Sequence, residues 1–290
     1  MEARDRTRAD RFLAGYSALL YVFLYLPILT VVVLSFNAGS NATDLRGFSL
    51  RWYTEAWTNP FVLDALRNSI EIAAVTSVLA TTFGTMAALA LQRVRGGLRV
   101  VFDALTYAAI LVPGIVIGIS TLVFVVLAFG WLNDWIAFLW PGAAPPVLML
   151  GRLTVIGAHT LFTMALVLVL VRARAAGMDR SLIEASGDLG ASPAATFRQV
   201  TLPQLFPAIL AGSLLAFTFS FDDFIVALFV AGPQNTLPLY VFASIRRGVT
   251  PEINAIAAVM LAVTLSFVFV AQTLLRRQQR RRSAPGSAAA

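Results

Sequence analysis

Two adjacent acids, Asp222 and Asp223, stand inside the long apolar run 206–231, flanked by Phe219, Phe221 and Phe224. Few other residues in the chain could do chemistry. There is no cysteine, which removes disulfides, thiolate metal sites and a Cys nucleophile. The single histidine, His159, lies in the apolar run 156–170, where a hydrogen-bonded core role suits it better than ligation or catalysis. No zinc-type His cluster, serine nucleophile motif or second acidic constellation accompanies the acids, so neither a catalytic nor a metal site is expected. A membrane-embedded enzyme using Asp222 and Asp223 as an acid pair is the weakest alternative for this chain. The sequence also lacks a Gly-x-x-x-x-Gly-Lys phosphate loop, and indeed any lysine, so an ATP-driven process would need its motor in another subunit.

What such acids do depends on the element that carries them. The chain is 58% hydrophobic and 13% charged, against about 45–50% and about 25% in soluble domains, which argues against a water-soluble globule. A membrane helix needs about 20 apolar residues, because every backbone polar group must be satisfied internally in lipid. Six stretches meet that length: 12–36, 68–91, 102–130, 153–171, 206–231 and 255–275. The first has a basic flank but is too long for a secretory leader and lacks a convincing cleavage site, so it reads as a retained span. With both termini cytoplasmic, sixteen of the 22 basic residues fall inside and six outside, as the positive-inside rule requires. The arginine cluster after the last span then anchors topology against anionic lipid, and a nucleic-acid partner is not expected. The fold class is an all-α membrane protein of six transmembrane helices, divided as 1–67, a core 68–275 and a basic disordered tail 276–290.

A charge at mid-membrane costs about 2.5–3.5 kcal/mol on insertion scales, so an acid there faces a cavity or a partner. Adjacent residues diverge by about 100° around a helix, so one of the pair would meet cargo while the other pairs or caps. A pathway role and a structural pairing with a companion subunit both remain open; in an aqueous cavity the charge favours cationic cargo. Glu71 and Asp103 lie near the ends of their spans, within reach of headgroups or water. Pro113-Gly114 is placed to kink the third span. On the outer side, 49–57 reads as a short interfacial helix, and Trp131, Trp135 and Trp140 as membrane anchors.

The cytoplasmic segment 172–205 carries its own helix signals. Ser181-Leu182-Ile183-Glu184 has the form of a capping box, and Gly190 is placed to end the helix in a left-handed conformation. Ser192-Pro193 starts a second helix. Small residues at Ala185, Ser186 and Gly187 permit close approach by another protein, and Glu184 and Asp188 share a face.

The order Glu184-Ala185-Ser186, three residues, Gly190, nine residues, then Val200-Thr201-Leu202-Pro203 resembles the signature loop of permease subunits of ATP-binding-cassette importers. Ser186 stands where that signature has a second Ala, and Val200 where it has Ile. The run from Phe217 to Asp223, with Gly232-Pro233, Leu237-Pro238-Leu239 and 248–255, is similar to the second permease of spermidine/putrescine importers. The resemblance implies a type I importer permease fold in a bacterial inner membrane. It further implies an ATPase interface at Glu184, Ala185, Ser186, Gly187, Asp188, Gly190, Leu202 and Pro203, and a cargo pathway near Phe221, Asp222, Asp223 and Phe224. Implied partners are an ATP-binding subunit dimer using ATP and Mg, a distinct companion permease, an external substrate-binding protein and lipid. The chain itself would bind no cofactor and would import polyamines or a related small cation. An ion-driven carrier or a channel is the main alternative, and would need no such loop.

Overall fold

The computed structural model describes residues 2–41, 45–142, 144–248 and 250–283. They form helices α1 (Glu2–Leu34), α2 (Arg51–Thr58), α3 (Pro60–Ala90), α4 (Gly97–Leu111), α5 (Gly114–Leu139), α6 (Arg152–Ala176), α7 (Ser181–Asp188) and α8 (Pro193–Thr196). A π-helical turn (Phe197–Thr201) leads into α9 (Leu202–Asp222), followed by α10 (Ile225–Val230), α11 (Leu237–Arg247) and α12 (Pro251–Ser283). Among the described residues, six helical segments are long and apolar enough to cross a membrane: Asp10–Leu34, Pro60–Ala90, Gly114–Leu139, Arg152–Ala176, Pro193–Asp222 and Pro251–Val270.

Three boundaries differ from those expected. The third span does not run through Pro113 with a kink. Val112 is extended (ψ 131°), because proline disfavours helix in the residue before it, and the spanning helix is α5, which continues to Leu139. At 15 residues α4 covers about 22 Å, short of a bilayer core. Trp131 and Trp135 consequently belong to the last turns of α5, in edge-to-face contact. The fifth span ends at Asp222 rather than continuing to Ala231. The last helix runs on through the arginines, since Arg and Gln are good helix formers extending an existing helix, so the expected disorder does not begin at 276. The rest of that tail, 284–290, lies outside the described residues.

The chain divides into two compact units, Met1–Leu63 with Val241–Val263, and Asp64–Tyr240 with Thr264–Ala290. In the smaller unit the side chains of α1 are exposed from Asp10 to Thr30, an apolar surface suited to lipid or another chain. The segment after α1 is tied down through buried Asn37, whose Oδ1 accepts from the amides of Gly39 (3.0 Å) and Arg46 (2.9 Å). Trp52 Nε1 donates to the Asn37 carbonyl at 2.8 Å, and Tyr53 shares a 2.7 Å hydrogen bond with Ser35. The expected outer helix is therefore present as α2, fastened to this segment.

In the larger unit α6 is the most buried span, covered along 61% of its apolar window. Small residues every fourth position on α3, Thr76, Ala80, Gly84 and Ala88, are all buried, which lets helix backbones approach closely. Val167 of α6 fits between two glycines. A Cβ at Gly84 would lie 2.8 Å from both the Met164 carbonyl oxygen and Val167 Cβ, and one at Gly212 of α9 would lie 3.2 Å from Val167 Cγ1. A second notch, at Gly118 of α5, receives Phe229 of α10. The acids near helix ends are paired: Glu71 with Arg67 (2.7 Å) and Arg152, Asp103 with both terminal guanidinium nitrogens of Arg172 and with Arg99 (3.8 Å).

Candidate functional site

The break after α9 is where the two adjacent acids part company. Asp223 turns extended (ψ 119°), and its Oδ2 accepts from the amides of Val226 (3.0 Å) and Ala227 (3.2 Å), groups that the start of α10 would otherwise leave unsatisfied. The same oxygen lies 3.0 Å from Nε2 of His159 on α6, an approach off the axis of a linear hydrogen bond. His159 Nδ1 in turn meets Ser220 Oγ at 2.8 Å, with both residues buried. A carboxylate only accepts, so the tautomer that suits this arrangement is the one with a proton on Nε2, in which Nδ1 accepts from the Ser220 hydroxyl.

Asp222 points elsewhere. It is exposed, and its carboxylate accepts from Thr264 Oγ1 at 3.2 and 3.3 Å. Of the expected pathway residues, then, Asp222 is presented and Asp223 is occupied as a cap. Phe221 does not line an open surface: it is 1% exposed and stacked on Phe217, which itself packs against Phe267 with ring centres 4.2 Å apart. The roughly 100° step between neighbours on a helix turns Phe221 inward and Asp222 outward. Phe224 is half-buried at the break itself. His159 is a hydrogen-bonded core residue as the sequence implied, but its partnership with Asp223 was not foreseen; the only signal for it was a lone polar ring in an apolar run.

The cytoplasmic loop folds as a helix, a turn and a helix. The expected capping box does not form: Ser181 makes no side-chain cap, and the amide of Ser181 donates instead to Asp179 Oδ1 at 2.9 Å. The signal was displaced by two residues, because Asp caps as well as Ser and lies just upstream. Hydrogen bonds from the Ser181 hydroxyl and amide hold the Asp179 carboxyl below its ordinary range, so this cap persists above the normal carboxylate pKa and is lost only as pH falls through the depressed value. Gly190 has φ +79°, and Ser192 caps α8 through Ala195 N at 3.3 Å with Pro193 at the first position, both as expected.

Ser186 Oγ and Thr196 Oγ1, 2.9 Å apart, clasp the two limbs together. Glu184, Ala185, Gly187, Asp188 and Gly190 are exposed, as is Leu189 at 88%. Behind the loop a cavity of about 770 Å³ opens between the end of α3 and the turn, lined by Arg93, Ile183, Gly187, Ala191 and Phe197 among others. Leu202 and Pro203 begin α9, so α8, the π-turn and α9 form one run from Pro193 to Asp222. Because a left-handed backbone costs a residue with a Cβ about 1–2 kcal/mol, least for Asn, Gly190→Asn should be tolerated while Gly190→Val should speed proteolytic cleavage within 181–203. Limited proteolysis of the purified protein measures the difference.

A family model described as the inner membrane component of binding-protein-dependent transport systems matches residues 80–284, which contain both the loop and the acids. The chain belongs to that family. Among relatives, the putrescine transport system permease protein PotI of Escherichia coli K12 is 39% identical over 267 residues, 90% of each chain. The spermidine/putrescine transport system permease protein PotC of Haemophilus influenzae is 33% identical over 264 residues, 91% of this chain and 96% of the relative. A solved structure of a bacterial ABC transporter involved in import of the acidic polysaccharide alginate superposes with a TM-score of 0.70 at 15% identity, covering 96% of this chain and 99% of that one. That likeness supports the type I importer permease architecture. As an inner membrane component with six spans, this permease is a multi-pass protein of the inner membrane.

Proposed function

We propose that this inner membrane component is the pore-forming permease of an ATP-driven importer for polyamines, putrescine or spermidine, with Asp222 meeting the cation. The observation that carries the reading is the placement of Asp222. It is an exposed carboxylate within a membrane span, beside a hydroxyl that does not neutralise it, while its neighbour is occupied by amides and an imidazole. Such a charge is tolerated where water or a cation reaches it. A diammonium ion supplies the counter-charge, and the names of the relatives agree with that chemistry.

The exposed face of α7 around Glu184, Ala185, Ser186, Gly187 and Asp188 is the docking surface for an ATP-binding subunit dimer, with Gly190 setting the turn. Leu202 and Pro203 sit at the joint with α9. A helical run of 30 residues from Pro193 to Asp222, about 45 Å long, links that surface to the acid. Closure of the ATPase on ATP and Mg would then shift the far end of α9 without any intervening loop. The exposed apolar length of α1 suits a companion permease or lipid, and an external binding protein would deliver the cargo.

The test is ATP-dependent uptake of radiolabelled putrescine by the complex in proteoliposomes, with spermidine and neutral solutes as competitors. Competition by spermidine and not by neutral solutes is expected. Indifference to both polyamines would sink the cargo assignment. Failure to retain an ATPase on purification, with uptake unchanged by Glu184→Ala and Gly190→Val, would sink the ATP-driven reading in favour of a carrier.

A further inference from the structure

The partnership of His159 with Asp223 has no use in the function described so far, yet it places a buried polar ring in the most covered span of the larger unit. Ser220 and Asp223, three residues apart, both reach the same imidazole on α6, at 2.8 and 3.0 Å. The far end of α10 is held by α6 too, because Thr154 Oγ1 donates to the Val230 carbonyl at 2.6 Å. Helix α6 therefore fixes the short helix at both ends, and the break between them decides where the last residue of α9, Asp222, is presented.

We propose that His159 is a positioning residue for cation passage: by bracing the Asp223 carboxylate from the side at the start of α10, it constrains the break that follows Asp222 and sets where that acid stands beside Thr264. The inference rests on the reading of Asp222 as the cation-facing group. Without the imidazole, Asp223 still accepts from two backbone amides, so the break survives but loses its lateral constraint. A binding group displaced by about 1 Å can lose much of its effect while the fold persists. His159 therefore acts on cargo affinity rather than on folding.

The experiment measures putrescine uptake by the complete complex in proteoliposomes for His159→Ala and His159→Gln, each in the wild-type and Asp222→Asn backgrounds. His159→Ala is expected to raise KM about tenfold with the maximal rate within about twofold, the size of losing one contact to a charged group. His159→Gln, whose amide can donate to Asp223, should recover most of the loss. In the Asp222→Asn background His159→Ala should add nothing. Should His159→Ala fail to assemble, Ser220→Ala, which removes the hydroxyl that orients the ring, carries the same expectation with a smaller rise in KM.

A fall in maximal rate or thermal stability with KM unchanged overturns the role given to His159. So does an equal effect of His159→Ala in both backgrounds, or an absence of rescue by Gln. Wild-type transport by Asp222→Asn alone overturns instead the assignment of Asp222, which separates the two failures.

Discussion

Replacing Asp222 by Asn lowers putrescine uptake at limiting substrate by about one to two orders of magnitude while the protein stays as stable as the wild type. The amide keeps an oxygen for Thr264, so the local hydrogen bond survives and only the charge is lost. A contact to a charged group is worth about 1.5–3 kcal/mol, and each 1.4 kcal/mol is about tenfold. Asp223→Asn separates the roles, because Asn caps a helix about as well as Asp and the two amide contacts can persist. Its effect on uptake should be smaller than that of Asp222→Asn. Asp223→Ala, which removes the cap, should cost about 1 kcal/mol of stability. Uptake kinetics and thermal unfolding of the purified complex check the set, and equal uptake by Asp222→Asn and the wild type would contradict it.

Gly84→Leu is expected to abolish the yield of folded protein, and Gly84→Ala to destabilise it by about 1–3 kcal/mol, the usual cost of overpacking. The reason is local. A Cβ at this position falls 2.8 Å from a backbone oxygen and 2.8 Å from Val167 Cβ, neither of which is the free end of a flexible chain, so α3 and α6 must separate. Val167 is also confined by Gly212, which leaves little room for it to retreat. Gly157, on the same α6 but with nothing within 4 Å of its would-be Cβ, is the control, and Gly157→Ala should assemble normally. Size-exclusion profiles and thermal scans of the three variants decide the matter. If Gly84→Leu assembles like wild type, the stripe of small residues is not the interface described.

The sequence by itself determined the number of spans and the helix-turn-helix loop, and set the orientation expected of them. Hydrophobic length and arginine placement reflect the cost of carrying backbone and charge into lipid, and that cost acts on each segment separately. The left-handed turn at Gly190 and the cap at Ser192 were legible for the same reason, since both depend on residues within a single turn of chain. The capping box at Ser181 failed where two local signals competed and Asp179 won. What only the tertiary structure decided is the division of labour at Asp222-Asp223. Periodicity could say that the two diverge, but not which would be capped. That choice was made by the break of α9, which turns Asp223 onto the amides of α10, beside His159 from 64 positions away in sequence, and leaves Asp222 facing out.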